Sequence, residues 1–228
     1  PTPWLNDADG VKNFFETGRT LTNNVALLGS NQNGDFRLSY TGLDQTGIVP
    51  NTDLRRNTIS FGGGYNLTKK FTARAFVSYI KSESDNRPSI SYGTENIMYL
   101  FNCWLPRSVD MSDMEDYWMR GLEGRRQFNF NYNYHDNPFF TMFENTNGQY
   151  VDRIIGNIAL KYEFTPELSL MLRTATDFAN ERRQYRRAFS TQRFPFGQYR
   201  EAKVYSEERN SDFLLTYNKE LVPSTWTL

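Results

Sequence analysis

The sequence predicts an all-β chain: part of an antiparallel transmembrane β-barrel, about seven to eight strands, with long loops on one side. Three observations predict it. Apolar residues alternate with period two over runs much longer than ordinary strands, arginines fall on the opposite face, and the links between runs alternate between tight and long. A soluble half-buried sheet would also segregate its arginines, so run length and link order carry more weight.

Taken in order, residues 20–29 are the weakest run: Val25 and Leu27 keep the pattern, but Asn23 falls on the apolar face. Phe36, Leu38 and Tyr40 then alternate with Asp35, Arg37, Ser39 and Thr41. Residues 57–67 set Ile59, Phe61, Gly63, Tyr65 and Leu67 against Thr58, Ser60, Gly62, Gly64 and Asn66. At ~3.3 Å per residue this run is about 36 Å long, and tilted ~45° it covers the apolar band of an outer-membrane barrel, ~25 Å tall. Phe71, Ala73, Ala75, Val77 and Tyr79 oppose Thr72, Arg74, Phe76 and Ser78. Ile154, Gly156, Ile158, Leu160, Tyr162 and Phe164 oppose Arg153, Ile155, Asn157, Ala159, Lys161 and Glu163. Leu168, Leu170 and Leu172 oppose Ser169, Met171 and Arg173, and Phe213, Leu215 and Tyr217 oppose Asp212, Leu214 and Thr216. Arg37, Arg74, Arg153 and Arg173 therefore share the polar face, where a water-filled lumen accepts them; facing lipid, each would cost ~2–4 kcal/mol at mid-bilayer.

The links at 31–34, 68–70, 165–167 and 222–225 are expected to be tight turns, and those at 43–56, 82–151 and 178–210 long. Such alternation places turns in one compartment and loops in the other. Tyr40, Phe71, Tyr79, Tyr162, Phe164, Tyr217 and Trp226 are expected near strand ends, as an interfacial aromatic girdle or simply through β-propensity. Seven strands cannot close a bacterial barrel, so the chain is expected to be part of a larger one.

Composition narrows the function. Among 228 residues, 26 basic and 26 acidic side chains cancel, which argues against a nucleic-acid binder or a polybasic membrane tether. Apolar residues total 38% while aromatics reach 16%, too few aliphatics for an ordinary soluble core and too many rings for disorder. There is no apolar run of ~18 residues for a membrane helix. The first residues, Pro1-Thr2-Pro3-Trp4, have no leader character, so any signal sequence is expected outside the chain. With one cysteine, Cys103, an internal disulfide framework and a CxxC site are excluded, and with one histidine, His135, a His-rich metal site and most His-based acid–base schemes become improbable. The expectation is a non-enzyme without cofactor or metal.

The stretch Phe14-Phe15-Glu16-Thr17-Gly18-Arg19-Thr20-Leu21-Thr22-Asn23-Asn24, with Phe36-Arg37-Leu38-Ser39-Tyr40 and Gly47-Ile48-Val49-Pro50-Asn51-Thr52-Asp53, resembles the early barrel of the SusC/RagA family. These are TonB-linked (TonB-dependent) outer-membrane transporters of Bacteroidota. Tyr92-Gly93-Thr94-Glu95-Asn96, Asn131-Tyr132-Asn133-Tyr134-His135-Asp136-Asn137-Pro138 and Arg187-Ala188-Phe189-Ser190-Thr191-Gln192-Arg193-Phe194-Pro195 are similar to that family's long loops. No single motif is diagnostic. The resemblance implies a 22-stranded barrel around a plug, in the bacterial outer membrane and in contact with its lipid and lipopolysaccharide. Residues 1–228 would run from the end of the first extracellular loop to the start of about the ninth strand, with plug and TonB box elsewhere. It further implies a SusD-like surface lipoprotein as partner, energy relayed by the TonB complex, and import of an oligosaccharide or oligopeptide. A passive porin and a soluble carbohydrate-binding β-protein remain as alternatives.

The long link 82–151 holds many rings interleaved with Asn, Asp and Arg. Most should form the loop's own core, since a long ordered loop packs itself. Tyr92, Tyr99, Trp104 and Trp118 are the candidate solute-binding residues, since flat aromatic faces beside planar polar groups suit sugars and extended peptides alike. Arg37, Gly62, Gly64, Arg74, Arg153 and Arg173 are expected to face the lumen or plug, the glycines allowing close approach of another surface. Arg182, Arg183, Arg186 and Arg187 are expected to form a solvated hairpin with Glu181, Glu201, Glu207 and Glu208, rather than a lipopolysaccharide or anion site. His135 beside Asp136 lacks a nucleophile. Cys103 beside Trp104 is expected to pack the loop, and Asp113 with Asp116 do not match a calcium loop.

Overall fold

The structure is a computed structural model describing residues 9–90 and 92–219. The expected turn at 222–225, Trp226 and the first residues Pro1-Thr2-Pro3-Trp4 lie outside the described residues. Seven strands, β1 (Arg19–Ser30), β2 (Gly34–Thr46), β3 (Asp53–Asn66), β4 (Phe71–Ser84), β5 (Asn147–Glu163), β6 (Leu168–Phe189) and β7 (Phe196–Tyr217), form one antiparallel sheet. Its spatial order equals the chain order. A meander of this kind is what tight turns between consecutive strands produce. Asn31 closes the first turn, its side-chain oxygen accepting from the Asn33 and Gly34 amides at 2.8 and 2.9 Å.

The register brings the predicted apolar sets together on one face. Val25, Tyr40, Ile59, Tyr79, Ile154 and Phe178 form one row across six strands, and Leu27, Leu38, Phe61 and Val77 the next. This face is uncovered: Val25 is 70%, Ile158 54% and Phe213 74% exposed. No second sheet or helix among the described residues covers it.

The apolar band drifts across the register. On β2 it centres on Leu38, which pairs through Phe61 to Val77 of β4. On β7 it centres on Leu215, which pairs through Leu170 and Tyr162 to Phe71 of β4. The drift is six residues, about 20 Å at ~3.3 Å each, across five strand steps, about 24 Å at ~4.8 Å each. Taking the band as level, the strands lean about 40°, the tilt of an outer-membrane barrel wall. A flat soluble sheet has no cause to move its apolar stripe this way.

Three expectations need correction, the first being Cys103, which is exposed rather than packed into the loop. The links 43–56 and 178–210 are not long loops, because strand pairing continues through most of them and leaves only the short turns 47–52 and 190–195. β6 and β7 reach 22 residues each, well past the apolar band. Above that band both faces are polar, so no alternation reveals a strand there. Cross-strand contacts hold the extension together instead: Phe178 against Tyr205, Arg182 over Tyr150, and Arg200 over Tyr185. For the same reason Tyr40 and Tyr79 are not near strand ends. They stand where the apolar face gives way to polar rows, Tyr40 donating to Asn57 at 2.6 Å and Tyr79 to Asp152. Phe71, Tyr162, Phe164 and Tyr217 do lie at the turn end.

The link 82–151 is long as expected, with irregular chain from 85 to 146. It carries three short helices, α1 (Ile97–Cys103), α2 (Ser112–Glu115) and α3 (Pro138–Glu144). Phe14, Ile97, Met111, Met114, Phe139 and Met142 form a small core, with Phe15, Phe101, Tyr117 and Phe130 against it. The sheet's apolar face takes no part, so the excursion is packed by its own side chains and by residues 10–15 and 47–52.

Candidate functional site

The polar face of the sheet carries the expected set. Arg37 pairs in register with Gly62, and Gly64 sits between Asp35 and Arg74. Arg74 crosses over Gly64 to reach Asp35 at 3.1 Å. A Cβ at Gly64 would lie 2.9 Å from Arg74 Cγ, so the glycine leaves room for the guanidinium. At Gly62 the nearest atom is Phe76 Cδ2 at an ordinary 3.4 Å. We expect Gly62→Ala to leave stability unchanged. Gly64→Ala should displace Arg74 and lose one exposed ion pair, ~0–1 kcal/mol, readable as a shifted denaturant midpoint in detergent. Arg153 and Arg173 bind Asp177 and Asp212 on neighbouring strands.

The local sequence sets the excursion's helices. Asn96 caps α1 by accepting from the Met98 and Tyr99 amides at 3.0 and 3.3 Å. Asn137 caps α3 in the same way, with Pro138 in the first turn. The Asn137 amide is itself buried, donating to the carbonyls of Met114 and Phe128. A buried capping amide with all its bonds made ties three segments into one body.

The cap of α1 brings three of the four candidate aromatics together. Tyr92 and Tyr99 lie 4.6 Å apart centroid to centroid, with hydroxyls at 3.0 Å. Tyr99 meets Trp104 at 6.4 Å. Trp104 meets Tyr134 at 5.7 Å. Tyr92 is 86% and Trp104 51% exposed. Trp118 is elsewhere, edge-on to Phe140 at 5.3 Å and beside Tyr117. It belongs to the packing of the excursion, away from the open cluster.

Beneath the cluster His135 is buried. Burial holds its pKa below the ordinary value, with the Thr94 backbone pulling the other way. Tyr117 is pushed up to about 12 by burial and the Glu144 carboxylate. Asp136 points away from His135 into a polar knot, accepting from Gln127 Nε2 at 2.6 Å and the Gln192 amide at 2.8 Å.

Burial raises the Asp136 pKa to about 6; the bonds from Gln127 and Gln192 oppose the rise, nearby Glu95 adds to it and Arg187 reduces it. A carboxyl raised in the folded state contributes stability that is full below its unfolded value near 4 and is lost as pH rises through about 6. Asp136→Asn is therefore expected to stabilise the excursion at pH 7.5 by on the order of 1–3 kcal/mol. Amide exchange of residues 127–137 from pH 4 to 7.5 should show protection falling with pH in the native protein and less so in the variant. Equal slopes would contradict this, since His135 titrates in both.

Sequence reasoning missed the partner of Arg187. Its guanidinium is nearly buried and grips Glu95 with two bonds, at 2.8 and 2.5 Å, far from the acidic residues of its own hairpin. Arg183 does pair locally, with Glu181. Sequence also missed a groove of about 980 Å³ on the polar face, under the excursion, between the upper ends of the strands and turn 47–52. Gln45, Arg56, Ser82, Arg87, Gln149 and Arg153 are among its walls. The long strand overhangs that build it have no apolar period to betray them.

No family model matches this sequence, and no curated protein does. Among solved structures, the RagAB peptide importer in its closed-closed state matches with a TM-score of 0.70 and 16% identity, over 95% of this chain and 24% of that one. The open-open state matches with a TM-score of 0.67 at 16% identity, over 93% and 23%. A further structure of the RagAB peptide transporter matches with a TM-score of 0.67 at 17% identity, over 95% and 24%. This chain spans about a quarter of the length of those chains. At such identity the likeness is one of fold, and it agrees with the resemblance read from the sequence: the seven-stranded meander with its folded excursion is a β-barrel-type sheet of the kind found in the RagAB importer.

Proposed function

We propose that this chain is a stretch of barrel wall from a TonB-dependent outer-membrane importer of the SusC/RagA type, working with a SusD-like surface lipoprotein to take up an oligosaccharide or oligopeptide. The observation that carries the proposal is the uncovered apolar band drifting at about 40° across a sheet whose other face is polar and charged. Lipid is a solvent in which such a face is stable. On this reading Arg37, Gly62, Gly64, Arg74, Arg153 and Arg173 line the aqueous lumen or meet the plug, and residues 1–228 run from the first extracellular loop toward the ninth strand. The excursion and the β6–β7 ribbon rise above the membrane on the solute side. There Tyr92, Tyr99 and Trp104 offer open ring surfaces to the solute, and Trp118 contributes by holding the excursion's shape.

The test uses the whole gene in its own cells. The protein should fractionate with the outer membrane, and uptake of its nutrient should be lost when TonB is deleted. Uptake that survives the deletion indicates a passive porin, and recovery in the soluble fraction without detergent rejects the membrane reading altogether.

A further inference from the structure

We infer that the groove beneath the excursion is a carboxylate-binding subsite built on Arg56 and Arg87. It rests on the importer reading and names one chemical feature of the solute. Arg56, on β3, donates through Nε to Ser82 Oγ at 3.0 Å. Arg87, just past β4, donates through Nη1 to Gln149 Oε1. Both partners are neutral acceptors, which orient a guanidinium and leave its charge standing. Among the described residues neither arginine makes an ion pair, whereas others on the same face do: Arg74 with Asp35, Arg153 with Asp177 and Arg173 with Asp212.

The nearby carboxylates are already engaged. Glu181 is held by both Nε and Nη2 of Arg183, at 2.6 and 2.7 Å, and by Gln149. Asp53, itself part of the groove wall, accepts from the Asp85 and Asn86 amides at 2.9 and 3.2 Å, and Arg55 lies 3.9 Å from its other oxygen. The two guanidiniums are anchored on neighbouring strands, at Ser82 of β4 and at Gln149 of β5, two residues along from the register partner of Ser82, which sets the anchors on the order of 8 Å apart. Around them the wall offers neutral donors and a few apolar contacts, among them Thr58, Asn86, Ile80 and Val151. Two positioned guanidinium forks with no direct ion-pair partner among the described residues, in an open groove of this size, fit an elongated molecule carrying one or more carboxylates. The carboxylate can belong to an acidic peptide or to an acidic sugar.

The experiment measures binding to the full-length protein in detergent by calorimetry. The probes are a glutamate-containing hexapeptide, its glutamine counterpart, trigalacturonate and its carboxyl-reduced neutral counterpart. The expected result is that at least one acidic probe binds more tightly than its neutral partner. Arg56→Gln with Arg87→Gln should weaken the acidic probe roughly ten- to hundredfold and leave the neutral one unchanged. The arm that responds identifies the source of the carboxylate. If the double variant loses its heat-resistant fold, the unmodified protein decides alone: its affinity for the acidic probe should fall steeply between 50 and 500 mM salt while the neutral probe's does not. Equal binding of acidic and neutral probes, no acidic probe bound, or an unweakened folded double variant overturns the subsite. TonB-dependent uptake that persists beside any of these results leaves the importer reading standing.

Discussion

Replacing Arg187 with alanine is expected to release the excursion from the β6–β7 ribbon, at a cost of about 3–5 kcal/mol. The side chain is 4% exposed, and nearly all its donors are used. Besides Glu95 it donates to the Thr146 and Arg186 carbonyls at 3.1 and 2.7 Å and to Asn147 Oδ1 at 2.8 Å. Alanine strands a partly buried Glu95 carboxylate and leaves carbonyls unsatisfied, which costs more than the pair's net attraction contributes. Exchange protection over 92–137 should collapse while the sheet stays protected, and protease should cut the excursion first. Combining Arg187→Met with Glu95→Leu should restore much of the protection, because the stranded charge is gone. If Arg187→Ala left the exchange pattern untouched, the clamp would be an incidental contact.

The second large effect separates the two faces of one strand. Ile158→Arg is expected to cost about 2–4 kcal/mol in bilayers, since Ile158 sits at the centre of the apolar run of β5 and is 54% exposed on its uncovered face. Its neighbour Asn157 lies on the polar face, in register with Phe76 and Ala175, and Asn157→Arg should cost well under 1 kcal/mol. The measurement is reversible unfolding of the full-length protein in lipid vesicles. A soluble sheet would tolerate both changes, because an exposed isoleucine in water gives way to arginine at little cost. Similar values for the two variants therefore reject a membrane-facing wall.

Much of the wall was legible in the residues. The faces to which Phe61, Val77, Ile158 and Leu170 belong follow from period-two alternation, because side chains on a strand must point to opposite sides. The tight turns at 31–34, 68–70 and 165–167 were equally plain, as was the packing of the long excursion upon itself. Trp118 could not be told apart from Trp104 in sequence: both are tryptophans in a polar loop, and only the neighbour each one meets, Phe140 or Tyr134, separates half-buried from open.

Sequence alone determined which face of each strand is apolar and where the tight turns fall. Those properties depend on neighbours one or two positions apart. The tertiary structure decided the length of β6 and β7, the grip of Arg187 on Glu95, and the meeting of Arg56 and Arg87 over one groove. These rest on contacts between residues tens of positions apart, in segments polar on both sides, where no local period records the partner.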